Sequence, residues 1–307
     1  MKASSPILVT IIGAALIAIA ARAPAAWAGK INVVTTTTDL ASLAETVGGD
    51  RVSVVSIVPG GFNADFYSPR PSDLFKIHQA RLFIEIGLGL EEWARDLVNE
   101  SNNSNLVKAE VSYQIPLMDV PEGKVDYSFG DIHPYGNPHY QLDPEDGRIM
   151  AHNIFNALAY TDPADKAYFA QNLAAFDKRL TEAEKKWQAE MAPFAGTKFI
   201  SYHESWMYFA RAFKLSIPTT IEAKPGFVPS PARIEEVIQI AKREHVRLIV
   251  TEPYYRLSIA QLVAEQAGIP YLNLYISVGG IPQQHDYISM IDYIVNQFVK
   301  VLSEHGK

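Results

Sequence analysis

The segment that most limits how this chain can fold is a long helical pattern that opens at the start signal Thr161-Asp162-Pro163 and then runs without glycine or proline to about Met191. A capping side chain followed by proline in the first turn opens a helix. Phe169, Leu173, Phe176, Leu180 and Ala183 then recur at helical spacing on a charged background. A helix of about 28 residues would extend roughly 40 Å, enough to run along a whole small lobe as a stiff connector. It divides the chain into two halves, and each half reads as strands alternating with helices. In the first, strands are expected over 31–37, 52–58 and 82–86, with a helix opened by Asp39 and another capped by Ser72 around Phe75. Residues 121–144, rich in Gly, Pro, Asp and Tyr, read as loop, and 148–160 as helix. In the second, strands are expected over 199–202, 219–221, 248–250 and 271–274, with helices over 206–213, 231–245 and 258–267. Such alternation argues for parallel sheets with crossover helices. The expected fold class is α/β: two lobes, each a parallel β-sheet flanked by helices, joined by one long linking helix. The expected boundaries are 29–160, 161–192 and 193–307.

The N-terminus bears on compartment. Lys2, an apolar run over 7–21, and Ala26-Trp27-Ala28 have the order of a secretory signal. The run falls short of the roughly 20 residues a spanning helix needs and is interrupted by Arg22, so cleavage after Ala28 is expected rather than anchoring. Losing Lys2 and Arg22 and no acid moves the net charge from −7 to −9. An acidic chain lacks the clustered cations that phosphate backbones require, so no nucleic-acid partner is expected. The sequence has 0 cysteines, which excludes disulfides, cysteine–zinc sites, thiol catalysis and a lipid-modified cysteine. A free periplasmic monomer is expected.

In open parallel α/β sheets, ligands sit beyond the carboxyl ends of the strands. Asp65 follows the second expected strand, His203 the fourth, and Glu222 and Glu252 end the next two, while the central loop carries His133 and His139. Imidazole nitrogen and carboxylate oxygen suit Zn, Mn and Fe(II). Two rival readings share these residues. A metal-dependent hydrolase would need an open coordination position and a base such as Glu252 or Glu204; no H-E-x-x-H, G-x-S-x-G or glycine-rich phosphate loop occurs. A receptor for an organic ligand or metal chelate would need a roomy cleft lined with arginine and aromatics, for which Arg70 is the one nearby cation.

The segments Asp65-Phe66-Tyr67-Ser68-Pro69-Arg70-Pro71-Ser72-Asp73, Gly87-Leu88-Gly89-Leu90-Glu91, Pro138-His139-Tyr140-Gln141-Leu142-Asp143-Pro144, His203-Glu204-Ser205-Trp206-Met207-Tyr208-Phe209 and Pro229-Ser230-Pro231 occur in this order. Together they resemble, over essentially the whole chain after residue 28, the metal-binding receptors of bacterial zinc and manganese ABC importers that have a rigid linking helix. The resemblance implies capture of a divalent transition metal by four ligands, two per lobe, and delivery to an ABC permease in the inner membrane, without enzymatic activity. His139 and His203 match its ligand positions outright. Asp65 stands where the family has a histidine, and Ser277 where it has a late carboxylate. Glu252 and Glu222 are the leading candidates for the missing donor, with Asp286, His285 and His133 as alternatives. Two imidazoles with two carboxylates would lean toward Mn(II) or Fe(II) while admitting Zn(II), and residues 121–131 hold no histidine-rich stretch. Tyr140, Tyr202, Trp206 and Tyr208 flank the histidines, to exclude water or fill the core.

Overall fold

The computed structural model describes residues 29–123 and 133–305. The expected leader and its cleavage site therefore lie outside the described residues, as does part of the central loop. The first half builds a four-stranded sheet from β1 (Ile31–Thr35), β2 (Val52–Ser56), β3 (Leu82–Glu85) and β4 (Val107–Glu110), in the order β2-β1-β3-β4 and parallel throughout. Its helices are α1 (Thr38–Gly48), α2 (Pro71–Gln79), α3 (Glu92–Glu100) and α4 (Pro144–Thr161). Next comes α5 (Lys166–Met191), followed by a three-stranded parallel sheet of β5 (Phe199–Ser201), β6 (Leu248–Thr251) and β7 (Tyr271–Asn273). The second half's helices are α6 (Met207–Ala212), α7 (Pro231–Arg243), α8 (Leu257–Ala267) and α9 (Tyr287–Glu304). The α/β class, with parallel sheets flanked by helices and a long helix in the middle, is as the alternation required.

Alternation within each strand decides where the core sits. In the first sheet, Val33, Leu82 and Ile84 face one cluster, and Val34 and Phe83 face another. In the second, Phe199, Leu248 and Val250 face the same cluster as Val33, whereas Ile200 and Ile249 face their own. This period of two gives each sheet an inner and an outer face. The outer faces are closed by α2 with α3 and by α7 with α8. The inner faces share one continuous core that includes Phe169, Leu173, Phe176, Leu180, Trp187 and Met191 of α5. Helix α9 packs back on α5 through the same core. The linking helix is thus the shared wall of both halves.

Several details differ from expectation. The long helix begins at Lys166 rather than 161, because Asp162 ends α4 and its Oδ1 accepts from Ala164 N at 3.1 Å to start a short 3₁₀ turn. The α2 cap is residue 70, not Ser72: Pro71 takes the first helical position and Asp73 Oδ2 accepts from Arg70 N at 2.9 Å. Residues 219–221 form no strand but a single bridge, Ser201 with Thr220. Pro218 lacks the N–H that would extend that ladder. β4, α3 and α9 had no assignment; β4, with the sequence VKAE, is an edge strand without an apolar run. Among the described residues no helix is long and apolar enough to cross a membrane.

Candidate metal centre

Three loops at the carboxyl ends of the strands meet at one point, and each is held by identifiable contacts. His203 lies two residues past β5, where Ser201 Oγ donates to its carbonyl at 2.6 Å. Glu222 N donates to Tyr202 O at 3.0 Å, so the Glu222 segment runs beside the His203 segment. His203 Nδ1–H then donates to Glu222 Oε2 at 2.9 Å. A carboxylate on Nδ1 leaves the Nε2 lone pair as the donor face of the ring.

His139 is placed by Asn137, whose Oδ1 accepts from His139 N at 3.0 Å while its Nδ2 donates to Glu204 O at 2.9 Å. Tyr208 Oη donates to Asn137 O at 2.9 Å, and Arg211 donates to Asp143 Oδ2 at 3.0 and 2.8 Å. The helix after His203 therefore staples the His139 segment across the two halves, which explains the Tyr and the Leu-Asp-Pro of the two motifs. Asp65 is placed by its own loop: Asn63 Oδ1 accepts from Asp65 N at 2.9 Å, and Trp93 Nε1 donates to Ala64 O at 3.0 Å.

The result is a buried cluster in which one donor atom each from Asp65, His139 and His203 lies within 4.8 Å of the others. The two Nε2 atoms of His139 and His203 are 3.3 Å apart, and His139 Nε2 is 4.0 Å from Asp65 Oδ1. His133 Nε2 stands 3.3 Å from the same Asp65 oxygen, yet neither atom has a partner in hydrogen-bonding geometry. Buried polar atoms without partners are costly, so these point to a missing positive charge.

The electrostatics agree. Burial alone would raise Asp65, but His139, His133 and His203 hold its carboxyl well below the usual range. Burial pushes His139 down to about 3 despite Asp65, with the other two imidazoles adding to the effect. Burial would also lower His203, but the Glu222 hydrogen bond and the charges of Asp65, Glu222 and Glu252 carry it up to about 9. The cluster favours one cation among anionic acceptors.

The other sequence candidates stand elsewhere. Glu222 meets the far nitrogen of His203 and so backs the ring. Glu252 Oε1 accepts from Trp206 Nε1 at 3.0 Å, its Oε2 has no partner, and burial pushes the group up to about 7 against the charge of His203. Ser277 Oγ accepts from Gly61 N at 2.8 Å. Asp286 caps α9 and pairs with Arg179 at 3.2 Å, and His285 is exposed. Trp206, Tyr208 and Tyr140 are buried in the core. Asp39 was read only as a helix opener. It is buried, accepts from Val278 N at 2.8 Å, and is pushed by burial up to about 7. Only its place in the first turn of the helix that follows β1 hinted at such a role.

The space at the cluster is small. Cavities of about 40 Å³ and 20 Å³ flank the histidines, the first touching Asp65, His139 and Ser277, the second His133, His139 and His203. Organic ligands occupy pockets of roughly 300–1,000 Å³. A cavity of about 630 Å³ lined by Phe66, Arg70, Tyr202, Tyr255 and Arg256 does lie nearby, but it contains none of the three imidazoles.

A family model described as zinc-uptake complex component A periplasmic matches residues 33–301. The metal ABC transporter substrate-binding lipoprotein ScbA of Streptococcus cristatus is 27% identical over 285 residues, covering 90% of each chain. The manganese ABC transporter substrate-binding lipoprotein PsaA of Streptococcus pneumoniae is 26% identical over 250 residues, covering 78% of each. The crystal structure of ZnuA superposes with a TM-score of 0.76 at 24% identity, over 89% of this chain and 99% of that one. At that identity the likeness concerns the fold.

Proposed function

The chain belongs to the zinc-uptake complex component A periplasmic family, and from that premise we propose that Asp65, His139 and His203 bind the metal ion it carries. It is the substrate-capturing component of a metal ABC importer, with a divalent transition metal such as zinc or manganese as cargo. Its family is one of substrate-binding proteins rather than enzymes. The observation that carries the site assignment is the convergence of one carboxylate oxygen and two imidazole nitrogens in a buried, ion-sized space. Two lone-pair nitrogens 3.3 Å apart repel unless a cation or proton lies between them.

Capture follows from the same features. The incoming cation replaces the proton that the free cluster holds, supplies the charge that Asp65 lacks, and ties loops from both halves together. The domain division 29–160, 161–192 and 193–307 is part of this proposal. The shared core on α5 supports it and favours small, local closure, because wide opening would expose the apolar stripe of that helix. The protein works outside the cytoplasm, as its relatives do. Those relatives are lipoproteins, whereas this chain has 0 cysteines to carry a lipid. That argues against lipid attachment of the kind those relatives have; we further propose a periplasmic monomer, cut after Ala28, that docks its loaded form on an inner-membrane permease.

Calorimetric titration of the metal-free protein with Zn(II), Mn(II) and Fe(II) tests the reading. The wild type should bind at least one of them stoichiometrically, and the double variant His139→Ala, His203→Ala should bind at least about 100-fold more weakly, beyond the roughly 10–100-fold effect of losing a supporting group. Wild-type affinity no better than that of the double variant would sink it.

A further inference from the structure

We infer that His133 is the fourth donor of this centre, making it a three-imidazole, one-carboxylate site that prefers Zn(II) to Mn(II). This rests on the assignment of Asp65, His139 and His203 as metal-binding residues.

Three observations carry it. The first is distance. In a tetrahedral zinc site with bonds of about 2.0–2.1 Å, neighbouring donor atoms lie roughly 3.3–3.4 Å apart. His139 Nε2 to His203 Nε2 is 3.3 Å, and His133 Nε2 to Asp65 Oδ1 is 3.3 Å. The two pairs are linked by the 4.0 Å separation between His139 Nε2 and Asp65 Oδ1; His133 adjoins the cluster through that shared oxygen but lies outside the 4.8 Å span that Asp65, His139 and His203 share, so coordination requires its ring to move inward. The second is the state of the atoms. The His133 side chain is 10% exposed and that of Asp65 4%, and their facing atoms have no hydrogen-bond partner. The His133 and His139 rings are packed together, centroids 5.9 Å apart at 85°, and are not stacked face to face. His133 also lines the small cavity of about 20 Å³ that touches His139 and His203.

The third is the engagement of the rivals. Glu222 is committed to the outer nitrogen of His203 and Ser277 to the amide of Gly61, while Glu252 holds the Trp206 indole with one oxygen and stands outside the donor group of Asp65, His139 and His203 with the other unpartnered. Serine stays neutral and stabilises a dication weakly. The chain has thus moved its fourth donor from the loop after the last strand to the central loop. The consequence is a change of donor set from two imidazoles with two carboxylates to three with one. Three nitrogen donors in four-coordinate geometry suit Zn(II), whereas Mn(II) favours more oxygen donors and higher coordination.

The test substitutes position 133 in the full chain and reads coordination directly. Because the sequence has 0 cysteines, His133→Cys introduces the chain's single thiol. Cobalt(II) bound to this variant should show a thiolate-to-metal charge-transfer band that wild type lacks, and the wild-type cobalt complex should have the intense visible bands of four-coordinate geometry. His133→Ala should weaken those bands and lower the ratio of Zn(II) to Mn(II) affinity by at least about tenfold. A role confined to packing would produce no charge-transfer band. Cobalt bound to His133→Cys without that band, or a Zn/Mn ratio in His133→Ala equal to wild type, would overturn the assignment. His203→Ala serves as the control. If wild type itself bound no metal, the underlying metal-site reading would fail; if wild type bound, His203→Ala did not, and His133→Ala matched wild type, only the fourth-donor inference would.

Discussion

The two halves of the molecule treat the carboxylates at their strand ends in opposite ways. In the second half, Glu222 stands behind a metal-facing imidazole and fixes which nitrogen it offers. In the first, Glu91 follows β3 and turns inward. Its Oε1 accepts from Thr36 Oγ1 at 2.6 Å and Ile86 N at 2.8 Å, and its Oε2 accepts from Gly87 N at 3.0 Å. There the carboxylate clamps the ends of β1 and β3, across a Gly87-Leu88-Gly89 turn whose φ angles of 86°, 58° and 90° keep the chain from running on as strand. The first half carries its proposed metal donors on loops: Asp65 nine residues past β2, and His133 and His139 beyond β4. One half offers a donor on a short lever with its support built in. The other offers donors whose facing atoms are satisfied only when a cation arrives.

The sharpest way to break this comparison is at Glu222. Glu222→Gln keeps the shape but can present its amide N–H₂ to His203 Nδ1, reversing the tautomer and removing the Nε2 lone pair. Zn(II) affinity should fall about 10–100-fold, the range for losing a partner that orients a ligand. Glu252→Gln keeps an oxygen for the Trp206 indole and should leave affinity unchanged. Titration calorimetry on both variants separates them. Equal losses would mean that the two acids act alike and that the support is not specific to His203.

A smaller effect is expected at the join between halves. Ser277→Ala removes the acceptor for Gly61 N, a loss of about 0.5–1.5 kcal/mol for a typical hydrogen bond. The urea midpoint should shift down with metal affinity unchanged. A large fall in affinity would instead return Ser277 to the coordination sphere.

Much of this was legible in the sequence. Strand–helix alternation gave the α/β class, and the unbroken apolar stripe from Phe169 to Leu180 gave the central helix. His139 and His203 were singled out because their motifs match the family's ligand positions, and the structure brings their Nε2 atoms to 3.3 Å. What could not be read was orientation. Glu222 and Glu252 were ranked as donors by strand topology, but topology does not say which nitrogen of His203 a carboxylate meets, or that an indole claims the other acid. His133 was an alternative only, because its distance to Asp65 depends on how a long loop closes, and no local pattern encodes that. β4 escaped for a related reason: an edge strand needs only one buried side, and charge alternation in VKAE hides it.

The smallest effect concerns the first half alone and separates folding from binding there. Glu85 on β3 lies in register with Glu110 on β4. Burial pushes Glu85 up to about 7, the like charge of Glu110 pushes in the same direction, and Lys108 opposes both. The unfolded chain would lose this proton near its ordinary value of 4.5. As pH rises from there to about 7, the unfolded state releases a proton that the folded state keeps, so stability falls. The slope for one proton cannot exceed about 1.4 kcal/mol per pH unit, and partial exposure makes the realised value smaller. Glu85→Gln has no proton to lose, so its stability should gain on wild type between pH 4.5 and 7 and then run parallel. Urea unfolding of the metal-free protein at pH 5 and pH 8 reads that gain, and zinc titration should show no change in affinity. Parallel pH profiles would remove the proposed strain between β3 and β4. An affinity change would mean that the strand-end acids of the first half influence the site after all, as Glu222 does through His203 in the second.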